Sequence, residues 1–128
     1  MLEESQLNSH PAARHLRPVE RELLESMLAA SGSRSAVRPP LASALVEDMN
    51  DGGMGSIRFL SSEDQIGRTA QVIAQGEYVD EEGVVVSVVV NADQNGELFE
   101  VDFWKVDFSP LKRYPKASDI KIDAITAD

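Results

Sequence analysis

The chain has no cysteine. That excludes disulfides, thiolate metal ligands, thiol nucleophiles and iron–sulfur clusters together. Histidine is almost as scarce: His10 and His15 are the only two, so everything after them lacks an imidazole base or an imidazole metal ligand. A Ser/His/Asp arrangement is therefore not expected. Aromatic residues are 5% of the chain and are not interleaved with Arg and Lys, which argues against base stacking. No apolar run approaches the roughly 20 residues that cross a bilayer. The opening MLEESQLNSH is acidic and polar where a secretory leader is basic and then apolar, so a cytoplasmic location is expected.

What is abundant is acid. The formal charge of −10 repels phosphate backbones and anionic lipid headgroups, so neither nucleic acid nor membrane is an expected partner. The charge is also uneven. Through Pro40 five Arg balance five Glu, whereas from Leu41 onward seven basic residues face seventeen acidic ones, a net of −10. Such an excess is either a solvated surface that maintains solubility or a face that meets a basic protein.

A length of 128 residues suits one domain. Residues 1–15 lack periodicity, carry few large apolar groups and read as a flexible tail. Residues 16–128 read as a single α+β domain, with 31–40 (SGSRSAVRPP) as a linker between helix and sheet. Pro18 suits a first helical turn, Glu20 and Glu22 suit the positive end of the helix dipole, and Val19, Leu23, Leu24, Met27 and Leu28 share a face, giving an amphipathic helix over Arg17 to Ala30.

Leu41 to Met49 fits a short helix or a strand, and a strand is favoured. Four β segments follow: Ser56 to Leu60, Arg68 to Val79 with Gly76 as a bulge candidate, Val84 to Asn91, and Leu98 to Phe108. The glycine-bearing turns Asn50-Asp51-Gly52-Gly53, Glu81-Glu82-Gly83 and Gln94-Asn95-Gly96 predict hairpins, hence an antiparallel meander of about four to six strands with the helix packed on it. Alternation puts Phe99, Val101 and Phe103 on the helix-covered face and Leu98, Glu100, Asp102 and Trp104 on the other. The Val-rich third segment reads as central and covered on both sides. Ile120, Ile122 and Ile125 suggest a last short strand.

Two stretches carry a resemblance as well. They are Met49-Asn50-Asp51-Gly52-Gly53-Met54-Gly55-Ser56-Ile57-Arg58-Phe59 and Gly96-Glu97-Leu98-Phe99-Glu100-Val101-Asp102-Phe103-Trp104-Lys105-Val106-Asp107-Phe108-Ser109-Pro110-Leu111. With the Arg17-Pro18 helix start, they resemble a small bacterial family classed as a domain of unknown function, over most of Arg17 to Pro115. The resemblance implies no activity, substrate, cofactor or catalytic residue.

Three places invite a functional reading. The glycine cluster from Asp51 to Ser56 lacks the lysine and spacing of a phosphate loop and reads as a tight hairpin, with Arg58 pairing to Asp51 or Asp48. Asn91, Asp93, Asn95, Gly96 and Asp102 approximate a calcium-loop spacing. Their flanks are strands where that loop needs helices, so a hairpin at Asn95-Gly96 is preferred. The last long strand presents Glu100, Asp102, Trp104, Lys105 and Asp107. Either it forms a protein-binding patch, or Trp104 closes a second small core while Lys105 and Asp107 are solvated or paired.

No catalytic residue, metal ligand or cofactor is expected. The preferred reading is a non-enzymatic module that binds a protein with a basic surface, of the kind that inhibits a basic toxin, through Asp51, Arg58, Glu100, Asp102, Trp104, Lys105 and Asp107. The rival readings are an enzyme with a small-molecule or metal site at the Asp51–Arg58 hairpin, and a homodimeric structural protein.

Overall fold

A computed structural model describes residues 12–32, 38–60 and 67–123. Its helix α1 spans Pro18–Ser31, with the proline in the first turn and Gly32 at φ +78° closing the carboxyl end. Glu20, Leu23, Leu24, Met27 and Leu28 are buried, a spacing of three and four residues that draws one stripe down the helix. Val19 lies one position off that stripe and is 46% exposed, so it is not the core residue expected of it. Each fully buried Leu or Met here contributes roughly 1.5–3 kcal/mol. The place expected of Val19 is taken by a carboxylate. Glu20 can occupy it because Arg14 donates two hydrogen bonds, at 2.8 and 2.9 Å, and the Arg17 backbone N–H a third at 2.7 Å.

Seven strands form one antiparallel sheet among the described residues, slightly more than the four to six expected: β1 (Arg14–His15), β2 (Leu45–Asp48), β3 (Ile57–Phe59), β4 (Gln71–Val79), β5 (Val85–Ala92), β6 (Leu98–Lys105) and β7 (Lys121–Asp123). The fold is α+β, with α1 packed on this sheet. Arg14 and His15, expected to lie outside the domain, pair with β2. Residues 1–11, the middle of the 31–40 linker at 33–37, and Ile125 lie outside the described residues.

The spatial order is β1-β2-β3-β6-β5-β4-β7. Each of the three glycine turns joins an antiparallel pair, β2 to β3, β4 to β5 and β5 to β6. β3 and β4, consecutive in the chain, are not neighbours, and β3 lies beside β6 instead, which makes a Greek key of β3 to β6 in place of a simple meander. The core is built from the α1 stripe with Val46, Ile57, Phe59, Ala74, Tyr78, Val86, Val88, Val90, Leu98, Val101 and Phe103.

Two local expectations are corrected by register. The irregularity in β4 lies between Val72 and Ala74, not at Gly76. Between β5 and β6 it falls where Ala92 faces Leu98 and Asn91 faces Glu100, leaving Phe99 as the extra residue. That bulge switches faces, so Leu98 is in the core and Phe99 is not. Phe99 instead lies beneath two guanidinium groups, Arg68 at 4.4 Å and Arg58 at 5.8 Å from its ring centroid.

Gly76 has a different duty. A Cβ there would lie 2.7 Å from the Lys121 carbonyl oxygen and 3.2 Å from Ile122 Cα, because β7 crosses closely at this point. Gly76→Ala is expected to push β7 off β4 and cost about 1–3 kcal/mol. Hydrogen exchange at Lys121–Asp123 should rise before the rest of the sheet responds; unchanged exchange there would show that β7 does not depend on this approach.

Candidate functional site

Side chains on the face of the sheet turned away from α1 fall into rows set by strand register. Val79 faces Val85, and the Val106 N–H donates to the Val85 carbonyl, giving an apolar row. In the next row Lys121, Glu77, Ser87 and Trp104 are successive neighbours. Then come Asp123, Gln75, Val89 and Asp102, and after the bulges Asn91, Glu100, Arg58 and Glu47. Among the described residues no helix or strand lies over this face. Val85 is exposed and Val89 half-buried, so β5 is central in the sheet but not covered on both sides as expected.

The end nearest the apolar row is the most open. Trp104 is 58% exposed, Val106 58% and Phe108 66%. The Trp104 and Phe108 rings are 5.7 Å apart at 42°. This is not a second small core under the linker, the alternative open for Trp104, because both rings remain largely in solvent.

The other sequence candidates separate. Arg58 pairs with neither Asp51 nor Asp48; it faces Glu100 across β3 and β6 and bonds it at 2.7 Å. Asp48 pairs with Arg14 at 2.8 Å, and that bond holds its carboxyl below the usual range. Both Asp51 oxygens accept backbone N–H groups, from Met54 at 3.1 Å and Ser56 at 2.9 Å, so the glycine loop is tied by its own carboxylate. A shallow hollow of about 250 Å³ lies along Asp48 to Ser56. Its two carboxylates are engaged in these bonds.

Asp102 is half-buried beside Asn91, whose amide donates to it at 2.9 Å. Burial and the neighbouring Glu100 charge nevertheless raise its pKa. Asp107 accepts the backbone N–H and hydroxyl of Ser109 and is exposed in the turn after β6.

Lys105 leaves the surface altogether. Alternation with Val101 and Phe103 turns it toward the core, where it is 1% exposed and its Nζ lies 2.8 Å from Asp80 Oδ2. It also donates to the Pro110 carbonyl at 3.1 Å, while Asp80 accepts the backbone N–H groups of Lys112 and Arg113. Burial pushes the Asp80 pKa up, but the Lys105 ammonium and these N–H donors outweigh it and bring it down to about 2. The pair pins the segment after β6 against the end of β4 and cannot belong to an exposed patch.

A second buried pair was not anticipated. Arg68 bonds Asp93 at 2.8 Å, with both side chains at most 4% exposed, and also donates to the Phe59 and Leu98 carbonyls. Asp93 accepts the N–H groups of Asn95 and Glu97 and so organises the β5–β6 hairpin. Phe108, expected as the last residue of the strand from Leu98, lies instead in the turn after β6, which ends at Lys105.

Residues 13–115 match the model of a protein family described as Domain of unknown function (DUF6984). No curated protein and no solved structure matches the chain.

Proposed function

For a chain that belongs to this family of unknown-function domains, we propose a non-enzymatic role: binding a protein with a basic surface through the open face of the sheet. The observation that carries the reading is the composition of that face. An apolar and aromatic end, Val79, Val85, Trp104, Val106 and Phe108, adjoins rows bearing Glu47, Glu77, Glu100, Asp102 and Asp123 against only Arg58 and Lys121. Rigid aromatics serve as anchors at protein interfaces, and carboxylates around them steer a positively charged partner into place. A second copy is disfavoured because each chain brings a net charge of −10.

The experiment is photo-crosslinking with p-benzoylphenylalanine at position 104, and at position 19 on the helix side as the control, in the cells that make the protein. A salt-sensitive adduct from position 104, and none from position 19, is the expected result. No adduct, or equal adducts at both positions, would count against the reading. An adduct of twice the chain mass would replace it with self-association.

A further inference from the structure

The turn after β6 holds a bulky residue in left-handed backbone. Phe108 has φ +62°, and its N–H donates to the Lys105 carbonyl at 2.8 Å. A glycine or asparagine takes that conformation with little strain, whereas phenylalanine meets a steric penalty there. The ring recovers little of this by burial, being 66% exposed. Strain of this kind persists where the surrounding structure over-determines it, and it clusters at binding and catalytic sites. Here it holds Phe108 against Trp104, the two rings 5.7 Å apart.

Carboxylates share the face and the turn with the pair. Asp102 lies two residues back on the same strand face, Asp107 lies in the turn itself, and Glu77 is in the Trp104 row beyond Ser87, with Lys121 on its far side. Elsewhere the molecule already lays a guanidinium on an aromatic ring, Arg68 over Phe99 at 4.4 Å. An arginine is planar, weakly hydrated and able to stack while its edge bonds to carboxylate, a combination a lysine lacks.

We infer that Trp104 and Phe108 form a seat for an arginine side chain of the partner, stacked on the indole with the neighbouring carboxylates as acceptors. This rests on the open face being the binding face, and narrows its partner to one presenting an exposed arginine. Phe108 is then a positioning and contact residue kept at the expense of stability.

Trp104 is the only tryptophan, so its fluorescence reports the site directly. The full chain is titrated with a capped pentapeptide carrying two arginines, and with versions carrying lysine or neutral citrulline in their place. Saturable quenching by the arginine peptide is expected, with affinity about tenfold weaker for citrulline and an intermediate value for lysine. Phe108→Asn should weaken the arginine peptide by a similar factor while its Tm stays level or rises. Trp104→Leu, followed by calorimetry, should lose the preference for arginine over citrulline.

Equal binding of arginine and citrulline peptides would overturn the seat, as would no saturation up to about 10 mM or a Trp104→Leu chain that still discriminates. If any of these occurred while the position-104 cross-link persisted, the binding face would stand and only the arginine seat would fall.

Discussion

Asp80→Ala is expected to destabilise the protein by about 3–5 kcal/mol, measured by urea unfolding at neutral pH. The cost arises from what is left behind. Lys105, 1% exposed, would be left with only the Pro110 carbonyl as a partner, and the Lys112 and Arg113 N–H groups would lose their acceptor. Removing both charges is a different case. Asp80→Asn with Lys105→Met retains volume and leaves no unpaired ion, so the double variant should be more stable than Asp80→Ala. A loss below about 1 kcal/mol for Asp80→Ala would mean that Lys105 reaches water by rearrangement.

The same pair sets an acid limit. The folded pKa of Asp80, about 2, lies below the ordinary 3.8, so the ionised form is bound more tightly by the folded chain. Its contribution is therefore full above about pH 4 and is lost as pH falls toward 2, by about 2 kcal/mol in all. The depressed pKa values of Asp48 and Asp93 act in the same direction. Asp102 acts in the opposite one: its pKa is raised, so protonating it favours the fold. A charge there weakens the domain, as the backbone of Phe108 does, and both residues lie on the open face.

Arg68→Ala is expected to cost a similar amount, about 3–5 kcal/mol. One guanidinium serves Asp93, the Phe59 and Leu98 carbonyls and the Phe99 ring, and therefore ties β3 to β6 and to the β5–β6 hairpin. Arg68→Lys should recover less than half of the loss, because an ammonium cannot reproduce the fork or the stacking. Urea titration of the three chains checks this. Full recovery by lysine would reduce Arg68 to a simple counter-charge for Asp93.

Much of the architecture was legible. Leu23, Leu24, Met27 and Leu28 draw the helix by themselves, and the glycines at Gly52, Gly83 and Gly96 mark three hairpins. The strand order was not, because nothing local in residues 60–70 says that β3 will lie beside β6. The face of Leu98 and of Phe99 is not legible for a related reason: Phe99 to Phe103 alternates without interruption, and the bulge exists only in the register against Asn91 and Ala92.

Lys105 is the instructive case among the site residues. Its alternation with Val101 and Phe103 pointed to the core, but its charge argued for solvent, and its partner Asp80 lies on another strand's end. Of the solvated and paired alternatives open for Lys105, the structure shows the paired one, in the core. Glu20 repeats the lesson, since its spacing to Leu23, Leu24 and Met27 places it in the stripe, where Arg14 and the Arg17 backbone N–H make it tolerable. For Trp104 and its carboxylates, alternation alone was sufficient to gather Glu100, Asp102 and Trp104 on one face. The backbone of Phe108 has no sequence signature at all.

Whether the open face is covered in the cell can be read side chain by side chain. Hydroxyl-radical footprinting of the protein in lysate from its own cells, set against the purified chain, compares Trp104 and Phe108 with Val19 on the helix side. Loss of reactivity at the two aromatic residues, with Val19 unchanged, is the predicted result. Equal reactivity of Trp104 and Phe108 in lysate and in isolation would contradict the claim that this face exists to meet another protein.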